Sequence, residues 1–190
     1  MPIVLPHSDL HTLHDRLLEE IPPGSTVLDV GAGLAKYHPL LIDRGCKLTL
    51  LDAHAPYLEE RRQRWPQIET VHADVNLTAL WDWVVTERRW DVALAIDFIE
   101  HLGPDNARDV VDDMRDLAPK VILFVPEGNH PQDVDHYGMG GDHWQTHRST
   151  WDAPALEALG FTVERWIDFH LWARERGCDP GALWATWRRP

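Results

Sequence analysis

A chain of 190 residues, 44% hydrophobic and 26% charged, has the make-up of one soluble globular domain with its own core. A net charge of −13, with Lys and Arg few and scattered, disfavours nucleic acid, whose phosphates are bound by clustered cations. No apolar run approaches the ~20 residues that span a bilayer, so no membrane partner is expected. The opening MPIVLPHSDL lacks the basic and apolar regions of a secretory leader. Two distant cysteines, Cys46 and Cys178, build neither a disulfide framework nor a zinc knuckle. A reducing cytoplasm is the expected setting.

In chain order, the first twenty residues read as an amphipathic helix. Ser8 or Asp9 can cap it, Leu10, Leu13, Leu17 and Leu18 form its stripe, and PPG at 22–24 stops it. The pattern then alternates. A buried strand over 26–30 leads to a helix over 34–45, a strand over 47–52 and a helix over 56–65. The densest basic group, ERRQR at 60–64, reads as a solvated helix face. A third strand over 68–74 precedes a helix over 78–88, and a fourth strand over 91–97 precedes a helix over 105–117. Ala107, Val110, Val111, Met114 and Leu117 share one face of that helix, and 121–126 is a fifth strand. Strands this apolar, alternating with helices, imply a parallel sheet covered on both faces.

Residues 127–150 break the rhythm, being rich in Gly, His, Asp and aromatics without an apolar period. A loop of this length is expected to serve a substrate. Ser149 and Asp152 fit a capping box for a short helix ending at Gly160. Two closing strands, 161–169 and 182–189, carry Trp166, Trp184 and Trp187, which are expected to pack them.

Ligands of an open α/β sheet sit at the carboxyl ends of its strands. Four of these ends carry acids. Asp29 precedes Gly31 and Gly33, whose backbones tolerate positive φ and close approach. Asp52 lies 21 residues beyond Gly31, where an acid can accept ribose hydroxyls. Asp74 and Asp97 close the next two strands. One such acid can be a strand-end cap, but four in register point to one shared ligand.

With these residues the chain resembles class I S-adenosylmethionine-dependent methyltransferases from about Thr26 to Arg189. VLDVGAGLAKY (27–37) is similar to that family's first motif, LTLLDAH (48–54) to its ribose-binding motif and VHADV (71–75) to its adenine-contacting one. WDVALAIDFIEHL (90–102) is similar to the fourth strand and the loop beneath the methionine part, and LGFTVERW (159–166) to the lead into the last strand pair. The resemblance implies a Rossmann-like, doubly wound sheet of seven strands with an antiparallel last strand. It implies S-adenosyl-L-methionine as cofactor, with Asp52 on the ribose, Ala53 flanking the adenine, Asp74 at its amino group, Gly31 and Gly33 against the methionine segment, and Asp29, Val75 and Asp97 as further cofactor-binding residues. A dinucleotide would need a third glycine beside its pyrophosphate, where this chain has Lys36; the sulfonium cofactor has no phosphate.

Methyl transfer is an in-line displacement governed by alignment of the acceptor, with a base where the acceptor must lose a proton. Glu100, His101 and the loop residue His143 are the candidate catalytic groups, and His130, His136 and His147 share the loop with His143. Three readings of this group stand: a histidine acts as base; Glu100, His101 and a loop histidine bind a metal that acidifies an acceptor hydroxyl; or Glu100 and His101 only hydrogen-bond locally. The function expected is transfer to a small molecule without a resident metal. A non-catalytic, cofactor-binding regulatory or assembly role, and a metal-assisted O-methyltransferase, are the alternatives.

Overall fold

The fold is that of a computed structural model describing residues 3–5, 10–76 and 89–190. Strands β2 (Thr26–Val30), β3 (Lys47–Asp52), β4 (Glu69–His72), β5 (Val92–Ile96), β6 (Lys120–Pro126), β7 (Thr162–Trp166) and β8 (Ala182–Arg188) are the seven expected. Short strand β1 (Ile3–Leu5) pairs parallel with β7 and adds an eighth at the edge, where the sequence reads as helix. The sheet order is β1-β7-β8-β6-β5-β2-β3-β4. Among the described strands only β8 runs antiparallel, between β6 and β7. The direction of strand succession reverses between β2 and β5, which places a crevice at their carboxyl ends.

Side chains alternate along the strands and so feed two cores. On β6, Val121, Leu123 and Val125 pack on one face, with helices α4 (Pro104–Leu117) and α6 (Ala153–Ala158). Ile122 and Phe124 pack on the other, with α1 (Leu10–Glu20), α2 (His38–Asp43) and α3 (Ala55–Arg64). Helix α5 (Asp142–Gln145) is a single turn within the long loop. The tryptophans do pack the closing strands. Trp166 stacks on Trp184 with ring centroids 5.9 Å apart, and Phe124 lies 5.2 Å from Trp166.

Several boundaries shift for local reasons. The helix expected over 34–45 begins only at His38, because Pro39 lacks an amide and is tolerated only in a first turn. α6 is capped by Asp152, whose carboxylate accepts from the Ala155 amide at 2.8 Å, not by Ser149. Ser149 is occupied elsewhere, accepting from Trp151 Nε1 and donating to the Ile99 carbonyl. Within ERRQR, Arg61 is buried with its guanidinium over the Trp65 ring, while Arg62 and Arg64 remain outside. Leu13 and Leu17 are buried as the α1 stripe requires. The caps Ser8 and Asp9, and the helix over 78–88, fall outside the described residues. Among those described, no helix is long and apolar enough to cross a membrane.

Phe124 tests this core. Phe124→Ala should lower unfolding free energy by about 3–5 kcal/mol in urea titration, the cost of deleting a buried ring.

Candidate functional site

Two cavities open at the carboxyl ends of the strands. The first, about 280 Å³, is bordered by Asp52, Ala53, Asp74 and Val75 on the β3–β4 side and by Phe98 and Trp144 opposite. The second, about 320 Å³, lies against Tyr37, Glu100, His130, His147 and His170. Gly31, Asp97, His101 and Gln145 line both, so the cavities abut along that seam.

The seam depends on a glycine. Gly31 has φ +71°, and a Cβ there would stand 1.9 Å from the Phe98 ring. Both the conformation and the close approach exclude a side chain. Gly31 and Ala32 donate their amides to the Leu51 carbonyl, which draws the turn over the end of β3. Asp52 fixes the turn further. Its carboxylate accepts the Gly33 amide at 2.8 Å and the His54 amide at 2.7 Å. Burial nevertheless pushes its pKa above the usual carboxylate range, the amide donors only moderating this. Each carboxylate oxygen can accept more than one hydrogen bond, so Asp52 keeps capacity for a ligand hydroxyl.

Asp97 holds φ +48°, a left-handed conformation rare outside glycine and a mark of stored strain. Its exposed side chain lines both cavities, and desolvation by the surrounding protein pushes its pKa up to about 7. Just beyond it a 3-10 turn, Ile99–His101, carries Glu100 and His101 inward. Burial, reinforced by the Asp97 charge, drives Glu100 well above the carboxylate range. Burial and the neighbouring His147 depress His101 to about 4, leaving a neutral imidazole at pH 7. His147 and His130 are lowered by burial as well, and His170 reaches about 4 through burial and those two rings.

The loop 127–150 is ordered by Asp135, whose side chain accepts the amides of Tyr137, Met139 and Gly141 at 2.8–3.0 Å. Its far end is sewn to the Ile99–His101 turn, since the Glu100 carbonyl accepts from the amides of Arg148 (2.7 Å) and Ser149 (3.0 Å). Arg148 also donates to the His101 carbonyl at 2.9 Å.

A family model described as a methyltransferase domain matches residues 7–165. The chain belongs to this methyltransferase family. No curated protein sequence matches it. Solved methyltransferases share its fold. One is the 1,6-didemethyltoxoflavin-N1-methyltransferase of Burkholderia thailandensis, bound to 1,6-didemethyltoxoflavin and S-adenosylhomocysteine. It has a TM-score of 0.63 and 21% identity over 94% of this chain and 76% of that one. The N-methyltransferase NodS of Bradyrhizobium japonicum WM9 gives 0.61 and 19%, covering 95% and 94%. The magnesium protoporphyrin IX methyltransferase of Synechocystis PCC 6803, with bound S-adenosylmethionine, gives 0.62 and 15%, covering 95% and 77%.

In this methyltransferase the expected residues divide into three groups. Gly31, Asp52, Ala53, Asp74, Val75 and Asp97 line the first cavity, and Gly33 lines the second. Asp29 lines neither. Buried beneath the turn, it accepts from the Tyr37 hydroxyl and from His38 Nε2, both at 2.7 Å, and so anchors the glycine turn from below. Glu100 and His101 meet, but His143 does not join them. It is exposed beside Trp144 in the first cavity, and His147 takes the place beside His101, with ring centroids 4.8 Å apart. His170, from the segment after β7, escapes sequence reading because only the fold brings it to His130, 5.0 Å away.

Asp135 yields a pH prediction. Although burial opposes it, donation by the Gly141, Tyr137 and Met139 amides holds its carboxyl down to about 2. A folded-state pKa below the unfolded value of about 3.9 stabilises the fold above pH ~4, and this is lost as pH falls through about 2. Asp135→Asn should therefore cost about 1.5 kcal/mol at pH 7, and urea titrations should show the gap to wild type closing between pH 4 and pH 2.

Proposed function

We propose that the chain transfers the methyl group of S-adenosylmethionine to a small-molecule acceptor. The single observation that carries this reading is the pair of abutting cavities that share Gly31 and Asp97. Adenosine fits the first, with Asp52 accepting from the ribose hydroxyls, Asp74 from the adenine amino group, and Ala53 and Val75 flanking the base. The methionine part then runs past Gly31, and the sulfonium methyl faces the second cavity, where the acceptor lies. The in-line geometry that displacement demands is supplied by this end-to-end arrangement. His101, neutral and at the seam, is suited to accept a proton from the acceptor, while Glu100 stands beside it. His143, on the adenosine side, would contact the cofactor rather than the transferred methyl.

A small acceptor suits a second cavity of about 320 Å³ roofed by the 127–150 loop. The net charge of −13 argues against a nucleic-acid acceptor.

Calorimetry with S-adenosylhomocysteine should show binding to one site per chain, weakened roughly tenfold or more by Asp52→Ala through lost charge-assisted hydrogen bonds. Incubation with radiolabelled donor and a metabolite extract should yield a labelled small molecule. Tight cofactor binding with no labelled product would instead favour the non-catalytic, regulatory reading.

A further inference from the structure

Cofactor binding leaves one feature of the second cavity without a purpose. Glu100 is 2% exposed, and among the described residues neither of its carboxylate oxygens has a hydrogen-bond partner. Ionised or protonated, such a group is costly to bury. Its neighbours are imidazoles. One ligating atom from each of Glu100, His101 and His147 lies within 4.8 Å of the other two.

The two rings are oriented in a particular way. His101 Nδ1 faces the Thr146 carbonyl at 3.4 Å, and His147 Nδ1 is bonded to the His130 carbonyl. A carbonyl only accepts, so Nδ1 carries the proton in each ring and Nε2 keeps its lone pair. Metal-ligating histidines are held by this same arrangement, the distal nitrogen donating to a backbone carbonyl or carboxylate. The backbone that presents the three residues is also fixed, because the Glu100 carbonyl binds the Arg148 and Ser149 amides just after His147.

We propose that Glu100, His101 and His147 bind one divalent first-row transition-metal ion of the Zn²⁺ type at the wall of the acceptor cavity. Two imidazoles and one carboxylate without a thiolate suit such an ion better than Mg²⁺ or Ca²⁺, which prefer oxygen donors throughout. Donors around Zn²⁺ at about 2.1 Å stand about 3.4 Å from one another, so the cluster closes on an ion through small side-chain rotations. Three protein ligands leave coordination positions open towards the cavity, as in catalytic rather than structural sites. Resting on the reading above, the acceptor class is a hydroxyl compound that coordinates there. With the ion bound, His101 serves as a ligand and not as the base: the ion lowers the pKa of the bound hydroxyl, and its proton leaves to solvent. The oxygen then forms a bond to the methyl carbon as the carbon–sulfur bond breaks, the electron pair remaining on sulfur as a neutral thioether.

The test is equilibrium dialysis of the full chain, freed of metal by EDTA, against Zn²⁺ alone, with S-adenosylhomocysteine calorimetry on the same samples. The expected result is one Zn²⁺ per chain at micromolar concentration, weakened at least about tenfold by Glu100→Gln and by His147→Ala and unchanged by His143→Ala. Retained S-adenosylhomocysteine binding by these variants would show that they are folded. No saturation below millimolar Zn²⁺, or variants that bind as wild type does, would overturn the site. Zn²⁺ binding in a chain that ignores S-adenosylhomocysteine would uphold the ion site while removing the cofactor reading; the converse would remove the ion site alone.

Discussion

The site rests on one close approach, the Phe98 ring lying against the bare α-carbon of Gly31. A Cβ would come within 1.9 Å of that ring, so the ends of β2 and β5 can meet only through a glycine. These two strands flank the point where strand succession reverses. The contact thus sets the wall between the cavity beside Asp52 and the cavity beside Glu100. The turn is held from below by Asp29, through Tyr37 and His38, and from the side by Asp52, through the Gly33 amide. Strain at Asp97, which turns the chain at φ +48°, belongs to the same junction.

Charge is distributed unequally across this wall. On the first side the acids are tied to the backbone: Asp52 holds two amides, and Asp74 accepts from both the amide and the side chain of Asn76. Such carboxylates are fixed in direction and ready to meet ligand donors. On the second side the groups are buried and mutually repelling. Glu100 is pushed up and the imidazoles are pushed down, so that burial favours neutral forms throughout. Under the proposed function, the first side receives the polar nucleoside. The other sets the Glu100 carboxyl among imidazoles that burial keeps neutral.

The centre of the sheet was legible in the sequence because strands such as β5 (VALAI) and β6 (KVILFVP) are nearly continuous apolar runs, and each relevant acid falls at or just past a strand end. Gly31, Asp52, Asp74 and Asp97 could be placed from spacing alone, since a parallel sheet aligns its carboxyl ends. Position along the strand did not reveal direction of the side chain, and Asp29 therefore turned out to face Tyr37 and His38 rather than a cavity. Helix α2 starts late because Pro39 fits only its first turn, and α6 owes its cap to Asp152 because Ser149 is spent on Ile99 and Trp151. The loop was legible only as a loop. Its order comes from one carboxylate gathering three amides, a pattern with no periodic signature. Which histidine reaches Glu100 depends on where Arg148 and Ser149 dock, so His147 and His143 could not be told apart beforehand.

The central claim is that a single ligand crosses the Gly31 seam, adenosine on one side and sulfur towards the other. A crystal structure of the chain with S-adenosylhomocysteine measures this directly. The account predicts the ribose on Asp52 and the sulfur beside Gly31 and Asp97, facing the histidines. A ligand bound elsewhere, or with its adenine among the histidines, would contradict it.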